Sequence, residues 1–230
     1  MIPWFCSSIE LDQVHHQKFC QDVFGVSRAI LSRSFLESIN PLGSYSIEQI
    51  KKEKIIGCFN IETTNDYCHV VIDCTFIERA PPATLSFEEK KKYWSAKNHT
   101  IRYKFLCVVD SRGICVHCSR MFQGSVHDVE IVRHPFTLQF LLNVVDEFDG
   151  KIFGDKSFIG LNEVVPTLTP QRANTNWIIE GLDAEIASKR IIIENYFSRI
   201  KNQFPVLCNL SKTPLDYLEN LFITLVYLTN

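Results

Sequence analysis

The sequence predicts an α/β fold: a mixed sheet of three antiparallel strands joined to parallel strands and flanked by helices. Three observations carry this. The runs HVVIDCTFIE, TIRYKFLCVVD and GICVHCSRMFQ read as strands, and the last two are separated only by Ser111-Arg112-Gly113, as antiparallel neighbours are. A helix-length segment then leads to the short apolar run KIFGD, which reads as a further strand. Finally, DAEIASKRIIIENYFSRIKNQF has apolar residues at helical spacing.

In chain order, residues 24–39 carry Phe24, Ile30, Leu31, Phe35 and Ile39 at an approximate helical period, with Arg28 and Arg33 between them. That pattern suits a packing helix or the second helix of a helix-turn-helix. Asn40-Pro41-Leu42-Gly43 breaks it, and SIEQIKKEKIIGCF resumes a helix. Residues 1–60 are expected to form a small helical appendage, either plain packing helices or the remnant of a helix-turn-helix region, and residues 61–230 the α/β domain. After the meander, HDVEIVRHPFTLQFLLNVVDEF is long enough for a helix that Pro135 should kink or split. KIFGD is expected to be a strand ending on Asp155. The long helix should start from Asp183 as its N-cap and stop at Pro205.

At 230 residues and 46% hydrophobic content, the chain can bury a full core. A formal net charge of -2 supplies no global attraction to DNA or to an acidic membrane, so a nucleic-acid surface would have to come from local clustering of the 24 Lys and Arg. Nine cysteines, an odd number spread along the chain, do not resemble a secreted disulfide framework and fit a reducing, intracellular setting. The start lacks the pattern of a secretory signal, and LENLFITLVYL is too short to span a bilayer.

Asp73 sits within a run of core-type residues, where an uncompensated carboxylate is costly. Asp155 occupies a comparable strand position. On the long helix, Arg190, Glu194 and Lys201 fall within roughly 60° of one another and form a stripe. Beside it, Ile186, Ile193, Phe197, Ile200 and Phe204 would seat the helix on the sheet with Glu194 at the edge of the contact. Three carboxylates converging at a half-buried site call for a cation, and hard oxygen donors select Mg²⁺ or Mn²⁺. Two such ions suit phosphodiester cleavage, with Arg190 and Lys201 placed to meet phosphates.

The order of motifs resembles the DDE superfamily endonucleases, the Harbinger-type transposases and their domesticated relatives. VIDCTFI looks like the first-aspartate strand, and KKYWSAKNHTIRYKFLCVVDSRG like the family's hairpin. FQGSVHDVEIV is similar to the Gly-Ser-x-His-Asp element, FGDKSFIG to Gly-Asp-x-Gly-Tyr, and RIIIENYFSRIK to the Arg-x3-Glu-x6-Lys helix. Ser157 and Phe158 stand where the family usually has Gly and Tyr, and Ala187 where the bacterial relatives have Tyr. The resemblance spans about residues 69–205. It implies an RNase H-like fold, a metal-dependent DNA endonuclease that works through two cations with strand transfer as a further step, and a triad of Asp73, Asp155 and Glu194. Asp128 is either a further ligand or a helix cap. The rival reading is a catalytically inactive, transposase-derived module that binds DNA or protein.

Cys115-Val-His-Cys118 is a CxxC, but in a regular strand its sulfurs would face opposite sides, which argues against zinc. The run Glu88 to Trp94, with Lys97 and His99, mixes basic and aromatic residues and could contact the DNA backbone or stack on a base, or be a solvated connection. His127 is either a phosphate contact or a capping or packed histidine. The expected partner is DNA, with a separate DNA-binding protein and a second copy of the chain as further candidates. The expected location is the nucleus for a eukaryotic chain.

Overall fold

The computed structural model describes residues 69–78, 84–95, 100–171, 181–204, 207 and 215–230. The expected appendage 1–60 and Lys97 lie outside the described residues. The elements run β1 (His69–Glu78), α1 (Phe87–Lys91), β2 (Trp94–Ser95), β3 (Thr100–Asp110), β4 (Cys115–Cys118) and β5 (Phe122–Gln123). They continue with α2 (Asp128–Val132), α3 (Pro135–Phe148), β6 (Lys151–Phe153), 3₁₀ turns at Lys156–Phe158 and Leu161–Glu163, β7 (Thr167–Leu168), α4 (Leu182–Gln203) and α5 (Leu215–Thr229).

The strands form one mixed sheet in the order β2-β3-β1-β6-β7, with β4 and β5 also paired to β3. β1 and β3 are antiparallel from Val70↔Asp110 to Glu78↔Arg102, so β2, β4 and β5 share the far edge of β3. β6 lies parallel to β1, and β7 parallel to β6. Three antiparallel strands continued by parallel ones, with helices against the sheet, make the RNase H-like arrangement that the motif order implied.

Because successive side chains of a strand point to opposite faces, β1 divides the core in two. Val71 and Ile77 join Phe105, Cys107 and Phe153 under α4 and α5, whose Ile186, Ile193, Tyr196, Ile200 and Phe222 complete that layer. Val70 and Ile72 join Leu106, Val108 and Ile152 beneath α2 and α3, with Ile131, Leu141 and Val144. Each large aliphatic side chain so buried contributes about 2 kcal/mol of hydrophobic stabilisation. Among the described residues no helix is long and apolar enough to cross a membrane.

Pro135 splits the helical segment as expected: α2 ends at Val132, and α3 restarts with Pro135 in its first turn, where the missing N–H costs nothing. Three local expectations need correction. Asp183 does not cap α4. The N-cap is Gly181, at φ 83, a left-handed conformation that glycine adopts freely, and Asp183 in the first turn accepts from Gln171 N at 3.0 Å. The strand of KIFGD ends at Phe153, two residues before Asp155. The CxxC sulfurs share a face, because an irregularity between Val108 and Val109 sets Cys118 opposite Cys107 and Cys115 opposite Val109. Cys115 is buried with Cys107 in the α4-side core and Cys118 packs against it, and burial pushes the Cys115 thiol well up, as expected of inert core cysteines.

Candidate active site

β1 and β6 build the centre. Their parallel register pairs Val71 with Phe153, and both side chains face α4. Two residues beyond that last pair, Asp73 continues β1 and Asp155 follows the end of β6, near enough for its charge to act on the Asp73 carboxyl. Asp155 lies just past the end of β6, where its carboxylate accepts from Ser157 N at 2.7 Å and from the Ser157 hydroxyl, opening the 3₁₀ turn. Asp73 Oδ1 accepts from Cys74 N at 2.7 Å.

Burial pushes the Asp73 carboxyl up from 3.8 to about 6. The Cys74 N–H works against that rise, Asp155 adds to it, and Arg190 opposes it. Arg190 enters from α4, which lies across β1, β3 and β6. Its guanidinium reaches Glu194 one turn on, at 3.2 Å, while its buried Nε has no hydrogen-bond partner among the described residues. The hydroxyl of Thr75, on the same face as Asp73 and buried, is likewise without one.

The structure thus brings together Asp73, Asp155 and Arg190, with Glu194 on the same side of the sheet but exposed and turned onto Arg190. Among the described residues no three His, Cys, Asp or Glu side chains are gathered as a metal-holding group. Asp128 lies on the other face. It is the first residue of α2 rather than its cap, and its carboxylate pairs with the buried Lys104 at 2.7 Å. Lys104 also donates to Val126 O at 2.7 Å and sits 5.1 Å over the Phe76 ring. His127 is the N-cap residue of α2 by backbone alone; its exposed side chain makes no capping bond. Lys201 stands three turns beyond Arg190, toward the end of the sheet where Arg199 donates to Gly113 O at the β3–β4 turn. Lys104 went unremarked in the sequence, and Ser157 stood out only as a departure from the family pattern, not as a partner of Asp155. A lone lysine in phase with Leu106 and Val108, and a serine two residues after an aspartate, were the available signals.

Fold and site define a class: an RNase H-like domain with Asp155 just past the carboxyl end of β6 and Asp73 in the middle of the neighbouring β1. A family model described as DDE superfamily endonuclease matches residues 72–230. The chain belongs to that family, which places it among transposase-type nucleases with DNA as substrate. No curated protein and no solved structure matches it.

A divalent cation fits the residues present. Asp73 holds a carboxyl that burial penalises and one guanidinium only partly offsets, Asp155 adds a second carboxylate beside it, and oxygen donors of this kind prefer hard cations.

Proposed function

We propose that the chain hydrolyses DNA phosphodiester bonds with Mg²⁺ or Mn²⁺ held by Asp73, Asp155 and Glu194. The observation that supports this is the raised Asp73 carboxyl, to which the charge of Asp155 contributes and which Arg190 of α4 opposes, on strands β1 and β6 that pair in parallel just before the two aspartates. When bound, a pair of such cations lowers the pKa of an attacking water and stabilises the leaving oxygen. Asp73 must be ionised to take part. Glu194 is exposed and held by an i,i+4 ion pair worth a few tenths of a kcal/mol, so it can leave Arg190 at little cost and turn toward the aspartates. Arg190, released from Glu194, is then free to hold a phosphate oxygen bidentately.

A DNA 3′-hydroxyl could take the place of water in the same site, giving strand transfer. Asp128, through Lys104, ties α2 to β3; the exposed His127, together with Lys97 and the more distant Lys201, serves as a backbone contact. A separate DNA-binding protein or a second copy of the chain would supply target recognition, and a eukaryotic source would place this work in the nucleus.

Nicking of supercoiled plasmid in Mn²⁺ tests the reading. The wild-type chain should nick, and Asp73→Asn and Asp155→Asn should each lose activity by at least about a hundredfold, the scale of removing one group that stabilises a transition state. A folded wild-type chain that binds plasmid without nicking it would instead identify a catalytically inactive DNA-binding module.

A further inference from the structure

α1 buries none of its side chains, so the core does not hold it in place. Two other devices do. A capping box closes its start: Ser86 accepts from Glu89 N, and the Glu89 carboxylate accepts from Ser86 N and Oγ at 2.8 and 2.7 Å. A backbone clamp closes its end. Ser125 N and its hydroxyl both donate to Lys92 O, Gly124 N donates to Arg102 O at 2.9 Å, and Arg102 N donates to Tyr93 O at 2.8 Å.

Gly124 is required there, because a Cβ would stand 2.6 Å from Arg102 O and 2.9 Å from Tyr93 O. The Gly-Ser of the Gly-Ser-x-His-Asp element therefore fixes a helix that hydrophobic burial does not retain. That helix displays Phe87, 74% exposed, and is followed by Trp94, 45% exposed. Lys90, Lys91 and Lys92 lie between them, while Glu89 is occupied by Ser86 and Glu88 by Lys91.

We propose that the segment from Phe87 to Trp94 is a platform for single-stranded DNA, with the aromatic rings stacking on unpaired bases and the lysines following the phosphates. Exposed rings interleaved with cations match the chemistry of a single strand, since only unpaired bases offer their faces for stacking. Position supports it too. Glu78 pairs with Arg102 five residues beyond Asp73, so the clamp sits about 17 Å along β1 from the acids, close to five nucleotides of strand. This rests on the nuclease reading for its substrate and adds to it a preference for opened DNA beside the cleaved bond.

The test is fluorescence anisotropy of the full chain, in EDTA, with a labelled oligonucleotide both single-stranded and as a duplex. Wild type should favour the single strand. Trp94→Ala should weaken that binding about tenfold, and Trp94→Phe should restore most of it. The double variant Lys90→Ala, Lys92→Ala should reduce the logarithmic salt slope by about 1.4. A Ser125→Ala chain, whose clamp loses only the hydroxyl, should show a smaller loss of the same kind. If wild type nicks plasmid but binds single strand no better than duplex, or Trp94→Ala binds as wild type does, the platform is refuted and the nuclease reading stands. A wild-type chain that neither binds nor nicks DNA overturns both.

Discussion

At Asp73 the chain carries a stability defect that is written in its titration. Below pH 3.8 the carboxyl is protonated in folded and unfolded chains alike and contributes nothing. Between 3.8 and about 6 the unfolded chain releases its proton while the folded one keeps it, so stability falls as pH rises; above about 6 the whole penalty stands. Asp73→Asn keeps the acceptor for Cys74 N and removes the charge. It should therefore stabilise the metal-free chain near neutral pH, by about 3 kcal/mol at most, and leave it unchanged below pH 3.8. Urea denaturation at the two pH values measures this; a loss of stability at neutral pH would mean that Asp73 serves a structural ion pair. That an aspartate amid valines and isoleucines had a special role was legible from residue types alone. The identity of its opposing cation was not, because Arg190 arrives from a helix more than a hundred residues away.

Among the elements, α2 and β3 are joined by an ion pair that sequence distance concealed. Lys104 and Asp128 are 24 residues apart and meet only because β3 is in register with β1 and α2 packs behind it. Asp128→Ala should destabilise the fold by about 3 kcal/mol, since it leaves the Lys104 ammonium buried and alone, and Lys104→Met in the same chain should recover most of the loss. Mn²⁺ affinity should be unaltered; lost affinity with unchanged urea stability would make Asp128 a ligand instead. The start of α4 offers a second check. Gly181→Ala should lower stability by about 1 kcal/mol in thermal unfolding, because φ 83 is unfavourable for a residue with a Cβ, whereas Asp183→Ala should cost less than loss of a true N-cap. Strand and helix identities followed from periodicity, which burial dictates. The cap of α4 and the pairing face of Cys115 and Cys118 did not, because they depend on a positive φ and a strand irregularity that leave no periodic trace.

The whole molecule places the end of one strand beside the middle of another, and that placement is where fold becomes chemistry. Motif order in the sequence anticipated the mixed sheet. It did not anticipate Glu194 turned onto Arg190, which is a matter of side-chain rotation. Since protonated Asp73 cannot hold a cation, nicking should fall as pH drops through about 6. The most direct test of the account is Mn²⁺ binding followed by electron paramagnetic resonance on wild type, Asp73→Asn and Asp155→Asn. Wild type should bind Mn²⁺, and each variant should lose that binding while remaining folded. Equal Mn²⁺ binding by all three chains would contradict the claim that these two aspartates form the metal site.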